Sequence, residues 1–159
     1  REVAKIAQAF GMRMLVTNHG STDISDFPGA RIAPLEDVLR HSDVVSLHCP
    51  LTSSTQNMIS RERLALMKSS AFVVNTSRGQ LIVEQDLADA LNSGHLAGAA
   101  VDVLSSEPPP QDNPLLLAKN CIVTPHIAWA TKEARARLME IAVKNLTAFL
   151  SGQPMNCVA

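Results

Sequence analysis

Three side chains of complementary chemistry each stand a few residues beyond a β-rich apolar run. Arg78 follows Ala71-Phe72-Val73-Val74, Glu107 follows Val101-Asp102-Val103-Leu104, and His126 follows Ile122-Val123-Thr124-Pro125. A guanidinium is a planar two-pronged donor that matches a carboxylate and polarises a neighbouring carbonyl. A protonated imidazole can give a proton to that carbonyl oxygen as hydride reaches carbon. A carboxylate beside the ring holds its orientation and keeps it charged near neutral pH. Together the three suit a 2-keto acid. Singly, each has a plainer reading. Arg78 before Gly79 resembles a surface ion-pair partner, Glu107 ahead of Pro108-Pro109-Pro110 a solvated glutamate, and His126 a hydrogen-bonded strand-end residue. Asp102 stands inside an apolar run, where an unpaired charge is costly, so a local partner or a cofactor amide must satisfy it.

The elements that position these groups can be read from pattern. Residues 14–17, 44–47, 71–74, 98–101 and 122–123 read as strands. Between them lie helical stretches: one behind Pro34 with Leu35, Val38 and Leu39, one capped by Ser60 and carrying Leu64 and Met67, and one with Leu87, Ala90 and Leu91 ending at Gly94. Residues 75–79 are a turn, and the small side chains of residues 98–101 permit close packing. Continuously apolar strands separated by helices imply a parallel sheet covered on both faces, a doubly wound α/β fold. Ligands of such a sheet bind beyond the carboxyl ends of its strands, where the three groups stand. Residues 105–113 form a long exposed loop. A long helix from Thr131 to about Leu150 has Leu138, Ile141, Ala142 and Phe149 on its inner face, widened by Met139, Val143 and Leu146 to a stripe that predicts burial on two sides. The chain opens helical in period, with Val3, Ile6, Ala7 and Phe10 on one face, no cap ahead of it and Gly11 closing it; the missing cap is expected of a chain that has lost residues upstream.

Bulk properties exclude several classes. With 159 residues, 46% of them hydrophobic, the chain can bury a core and falls in the size range of one domain. A net charge of −1, with the basic residues scattered, opposes nucleic-acid binding. No apolar run reaches the roughly eighteen residues of a membrane span, and no signal-peptide pattern opens the chain. Cys49, Cys121 and Cys157 lack metal-ligand spacing and read as reduced thiols of a cytoplasmic protein; no metal is expected.

Three segments resemble motifs of the D-isomer-specific 2-hydroxy acid dehydrogenase family: Val74-Asn75-Thr76-Ser77-Arg78-Gly79-Gln80-Leu81, Gly98-Ala99-Ala100-Val101-Asp102-Val103 running on to Glu107-Pro108, and Thr124-Pro125-His126-Ile127-Ala128. The resemblance covers nearly the whole chain. It implies a Rossmann-like nicotinamide-binding domain in which Arg78 binds the substrate carboxylate and carbonyl, Glu107 pairs with His126, and His126 is the acid in reduction and the base in oxidation. It also implies Asp102 near the nicotinamide carboxamide, and Cys49, Pro50, Thr55, Thr76, Ser77, His126, Ile127, Ala128 and Trp129 along the cofactor. The plainer alternative for Trp129 is a hydrophobic plug over the cofactor or a packing residue at the helix start. The family's glycine-rich turn, which brings backbone to the pyrophosphate, is expected just before Arg1, and most of a substrate domain further upstream. The chain is therefore expected to be a fragment lacking its first βα unit, with residues 1–150 the dinucleotide-binding domain and residues 151–159 the start of a return to the substrate domain.

The resemblance expects an acidic residue for the adenosine ribose at the end of the first strand, and Asn18 stands there, followed by His19. An amide bonds a ribose hydroxyl without repelling a 2′-phosphate, so NAD is favoured over NADP because no arginine neighbours Asn18; Asn18 as an ordinary turn residue is the alternative. Residues 106–110 followed by 112–115, and residues 125–131, look most like glycerate dehydrogenases, also called hydroxypyruvate reductases; D-lactate, glyoxylate and phosphoglycerate dehydrogenases share the three groups. A non-catalytic NAD-sensing, corepressor-like protein is the reading from another class. The family pairs its cofactor domains, which implies a homodimer; residues 51–67 are either a contact surface or a cover for the sheet.

Overall fold

The structure is a computed structural model that describes residues 1–18 and 23–158; His19 lies outside them. It comprises two compact units, Arg1–Thr124 and Pro125–Ala159.

In the first unit, helix α1 (Glu2–Ala9) ends at Gly11, whose φ of 71° is the left-handed turn expected of a glycine stop. Strand β1 (Leu15–Val16) pairs in parallel with β2 (Arg31–Ile32). Sequence pattern predicts β1 but not β2, because two exposed residues carry no periodicity. A four-stranded parallel sheet follows in the order β3 (Val44–Leu47), β4 (Phe72–Asn75), β5 (Gly98–Val101), β6 (Cys121–Val123). Helix α2 (Leu35–His41) leads into β3, α3 (Arg61–Leu64) joins β3 to β4, α4 (Glu84–Asn92) joins β4 to β5, and a 3-10 turn (Pro114–Leu116) lies between β5 and β6. Parallel neighbours joined by helical crossovers make a Rossmann-like α/β sheet, as the sequence predicts.

Burial alternates along the strands. Val45, Leu47, Val73, Ala99 and Val101 are buried in one core with Leu39 of α2, Leu64 of α3, and Leu87 and Leu91 of α4. Val44, Phe72 and Ile122 point to the other face and are exposed. Helices α2, α3 and α4 all contribute to this core. Gly98 lets β5 lie against the Phe72 ring, which a Cβ would approach to 2.8 Å.

Two local expectations need correction. Helix α3 stops at Leu64, and Met67 is buried beyond its end. Ser60 precedes α3, yet its hydroxyl donates to Glu62 Oε2 at 2.6 Å rather than accepting a backbone N–H. The cap comes from α4: Asp86 Oδ2 accepts the Arg61 N–H at 2.8 Å, and Arg61 also pairs with Asp86 and Asp89. Residues 51–67 spend Met58, Ile59, Leu64 and Met67 inside the core, so their apolar side chains cover the sheet.

The second unit carries α5 (Lys132–Leu150), capped by Thr131 Oγ1, which accepts the Ala134 N–H at 3.2 Å. None of its residues is buried. The predicted inner face, Leu138, Ile141 and Phe149 with Met139, Val143 and Leu146, is exposed, Phe149 at 68%. A stripe shows that a helix has an apolar side, not that a partner within its own unit covers it. Among the described residues no helix is long and apolar enough to cross a membrane.

Candidate active site

The register of the sheet builds the site. Leu47, Asn75, Val101 and Val123 are level across β3, β4, β5 and β6, so the residues that follow them emerge along one edge. These are His48-Cys49-Pro50, Thr76-Ser77-Arg78, Asp102 and Thr124.

The turn after β4 is fixed from inside. The Asn75 side chain, 1% exposed, accepts the Ser77 N–H on Oδ1 at 3.0 Å and donates from Nδ2 to the Arg78 carbonyl at 2.9 Å. Ser77 Oγ donates to the Leu47 carbonyl at 2.7 Å and ties the turn to β3. Arg78 and Thr76 are exposed on this turn, and Arg78 Nη1 donates to the Ser77 carbonyl at 2.6 Å. Gly79 closes it: a Cβ there would lie 2.0 Å from the Leu104 carbonyl carbon and 2.3 Å from Ser105 N, so only glycine admits this approach.

Asp102, 5% exposed at the end of β5, accepts the Thr124 hydroxyl at 2.5 Å, which is the local partner its burial demands. Glu107 is exposed in the loop beyond, its Oε1 accepting the Leu104 N–H at 3.0 Å across its own turn. On the β3 side, Thr55 is buried with its hydroxyl donating to the Pro50 carbonyl at 2.7 Å and accepting the Thr52 N–H at 2.8 Å. Thr55 therefore shapes the loop that presents Pro50. Cys49 is half-buried, its thiol donating to Met58 Sδ at 3.6 Å, and burial pushes its pKa up. His48, not singled out from sequence, shares this edge; its Nε2 meets Ser46 Oγ at 2.9 Å and burial lowers its pKa, favouring the neutral ring. Asn18, two residues past β1, is exposed.

Near its start, after Pro125, the second unit carries His126, Ile127, Ala128 and Trp129, all exposed. His126 has φ of 53°, a left-handed conformation that costs a non-glycine residue roughly 1–2 kcal/mol. Trp129 donates its indole N–H to the His126 carbonyl at 2.9 Å and is 53% exposed, so within its own unit it restrains the histidine backbone rather than filling a core.

The first unit thus brings Arg78, Asp102 and Glu107 onto one connected set of turns. Sequence reasoning missed Asn75, whose only signal was an amide at the head of a tight turn, a place where Asn bonds its own backbone.

The profile of the family described as D-isomer specific 2-hydroxyacid dehydrogenase, NAD binding domain, matches residues 1–128, and the chain belongs to that family. Among its relatives, a hydroxypyruvate reductase of Blautia hydrogenotrophica is 53% identical over 97% of this chain and 48% of its own length. A glycerate dehydrogenase of Methylorubrum extorquens is 45% identical over 99% of this chain and 49% of its own. A solved D-lactate dehydrogenase with NAD+ from Lactobacillus jensenii superposes with a TM-score of 0.90 at 32% identity, covering 99% of this chain and 51% of that one. The chain spans about half the length of the curated relatives it matches.

The donor set fits a nicotinamide cofactor. A carboxylate held at a strand end, as Asp102 is by Thr124, is the acceptor a carboxamide N–H requires.

Proposed function

We propose that this chain is the cofactor-binding half of an NAD-dependent reductase of small 2-keto acids, acting on hydroxypyruvate to give D-glycerate. The observation that carries the reading is the level edge of the sheet, from which Arg78, Asp102 and the Glu107 loop emerge on turns held by their own hydrogen bonds. The 53% identity to a hydroxypyruvate reductase favours that substrate over glyoxylate or D-lactate.

In this reading Arg78 grips the substrate carboxylate and polarises its carbonyl, and Asp102 orients the nicotinamide. The cofactor supplies the hydride. His126 delivers a proton to the carbonyl oxygen, and Glu107 is the carboxylate assigned to orient the ring. The left-handed backbone at His126 supports its role, since such strain is retained where a side chain must be aimed. NADP is the alternative cofactor, because the amide of Asn18 does not repel a 2′-phosphate.

Steady-state rates of the full-length protein with hydroxypyruvate, glyoxylate and pyruvate, each with NADH and NADPH, test this reading. The highest kcat/KM is expected for hydroxypyruvate with NADH. Absence of nicotinamide oxidation with all three acids contradicts it.

A further inference from the structure

Beyond the three reactive groups, the segment that directly follows Arg78 grips the loop that carries Glu107. The grip centres on Ser105. Its N–H donates to Glu84 Oε1 at 2.6 Å, and its carbonyl accepts Gln80 Nε2 at 2.9 Å. Glu84 is the first residue of α4, and its second oxygen, Oε2, accepts Asn113 Nδ2 at 2.8 Å. Asn113 is buried, and its Oδ1 accepts the Leu115 N–H at 3.0 Å, starting the 3-10 turn that ends the loop. One carboxylate therefore ties both ends of residues 105–113 to α4. Gly79 removes the remaining freedom, because its backbone lies directly against Leu104 and Ser105.

We infer that Glu84 and Gln80 are positioning residues: they clamp the Ser105 backbone and so fix the Glu107 loop relative to the Arg78 turn. The clamp's catalytic consequence rests on the proposed reaction, whereas the clamp itself does not. A carboxylate is suited to this task. It has two acceptor oxygens for two donors from separate places in the chain, and bonds to an ionised acceptor are about twice as strong as neutral ones. A glutamine at position 84 has one acceptor oxygen and must lose one of the two bonds.

The test compares Glu84→Ala, Glu84→Gln and Gln80→Ala in the full-length protein by hydrogen exchange and by hydroxypyruvate reduction with NADH, well below each variant's melting temperature. Faster amide exchange in residues 104–113 is expected for Glu84→Ala. Its kcat is expected to fall about tenfold or more, as misplacement of a reacting group does, with the KM for NADH within about twofold of wild type. Glu84→Gln should fall between Glu84→Ala and wild type in both measurements, and Gln80→Ala should change exchange and kcat in the same direction as Glu84→Ala. A loss of thermal stability with unchanged kcat at the assay temperature would show a structural role only and overturn the inference. Unchanged exchange in residues 104–113 would overturn it as well. If the wild-type protein reduces no 2-keto acid, the functional reading fails, and the exchange arm alone decides whether the clamp exists.

Discussion

An exposed arginine serves recognition best when its backbone cannot move, and the bonds from Asn75 and Ser77 supply that condition for Arg78. Replacing Arg78 by Lys keeps the charge but discards the forked geometry. We expect Arg78→Lys to lower kcat/KM for hydroxypyruvate roughly 10- to 100-fold, the equivalent of one charged hydrogen bond, mostly through KM. Asn75→Ala removes a buried side chain that serves the turn as one acceptor and one donor, so chemical denaturation should show a loss of about 1–3 kcal/mol. The two kinds of residue differ in how well the sequence announces them. Arg78, Glu107 and His126, the proposed reactive groups, stand out in the sequence because each lies just past an apolar run. Gln80 and Glu84 do not stand out, because their partners on Ser105 are distant in sequence and no local pattern marks them, and Asn75 is marked only as an amide at the head of a tight turn.

At the scale of elements, the strands that build the site were legible because β3, β4 and β5 are short apolar runs between turn residues. The short strand β2 and the true cap of α3 were not, since two-residue pairing and a cap supplied by another helix leave no sequence signature. The cap is measurable. Asp86→Ala removes the acceptor for the Arg61 N–H and one arm of its ion pair, and it should cost about 1 kcal/mol in unfolding free energy. Leu91→Ala empties a fully buried position where α4 meets the sheet and should cost about 2–5 kcal/mol. If the two losses were equal, the attribution of stability to the core rather than to the cap would be wrong. The stripe on α5 shows the reverse case: its amphipathicity was read correctly from spacing, and its burial was not, because burial depends on what stands opposite.

For the whole molecule, the free cysteines report how the first unit shields its interior. Burial raises the pKa of Cys49 and of Cys121, so little thiolate is present at neutral pH, whereas Cys157 is exposed. Alkylation at pH 7.5 followed by peptide mapping should label Cys157 first and the other two at least about tenfold more slowly. Because the fold disfavours ionisation of Cys49 and Cys121, their contribution to stability is intact below the unfolded thiol pKa of about 8.5 and declines as pH rises past it. In the proposed reaction His126 gives up the proton when hydride reaches the keto carbon. Asn tolerates the left-handed backbone that His126 adopts, so His126→Asn removes the imidazole with little strain. The most direct measurement is kcat/KM for hydroxypyruvate with NADH in the full-length protein carrying His126→Asn. A general acid at position 126 predicts a fall of at least about a hundredfold, the usual scale of such catalysis, with the melting temperature held. A variant that keeps turnover within a few-fold of wild type would contradict it.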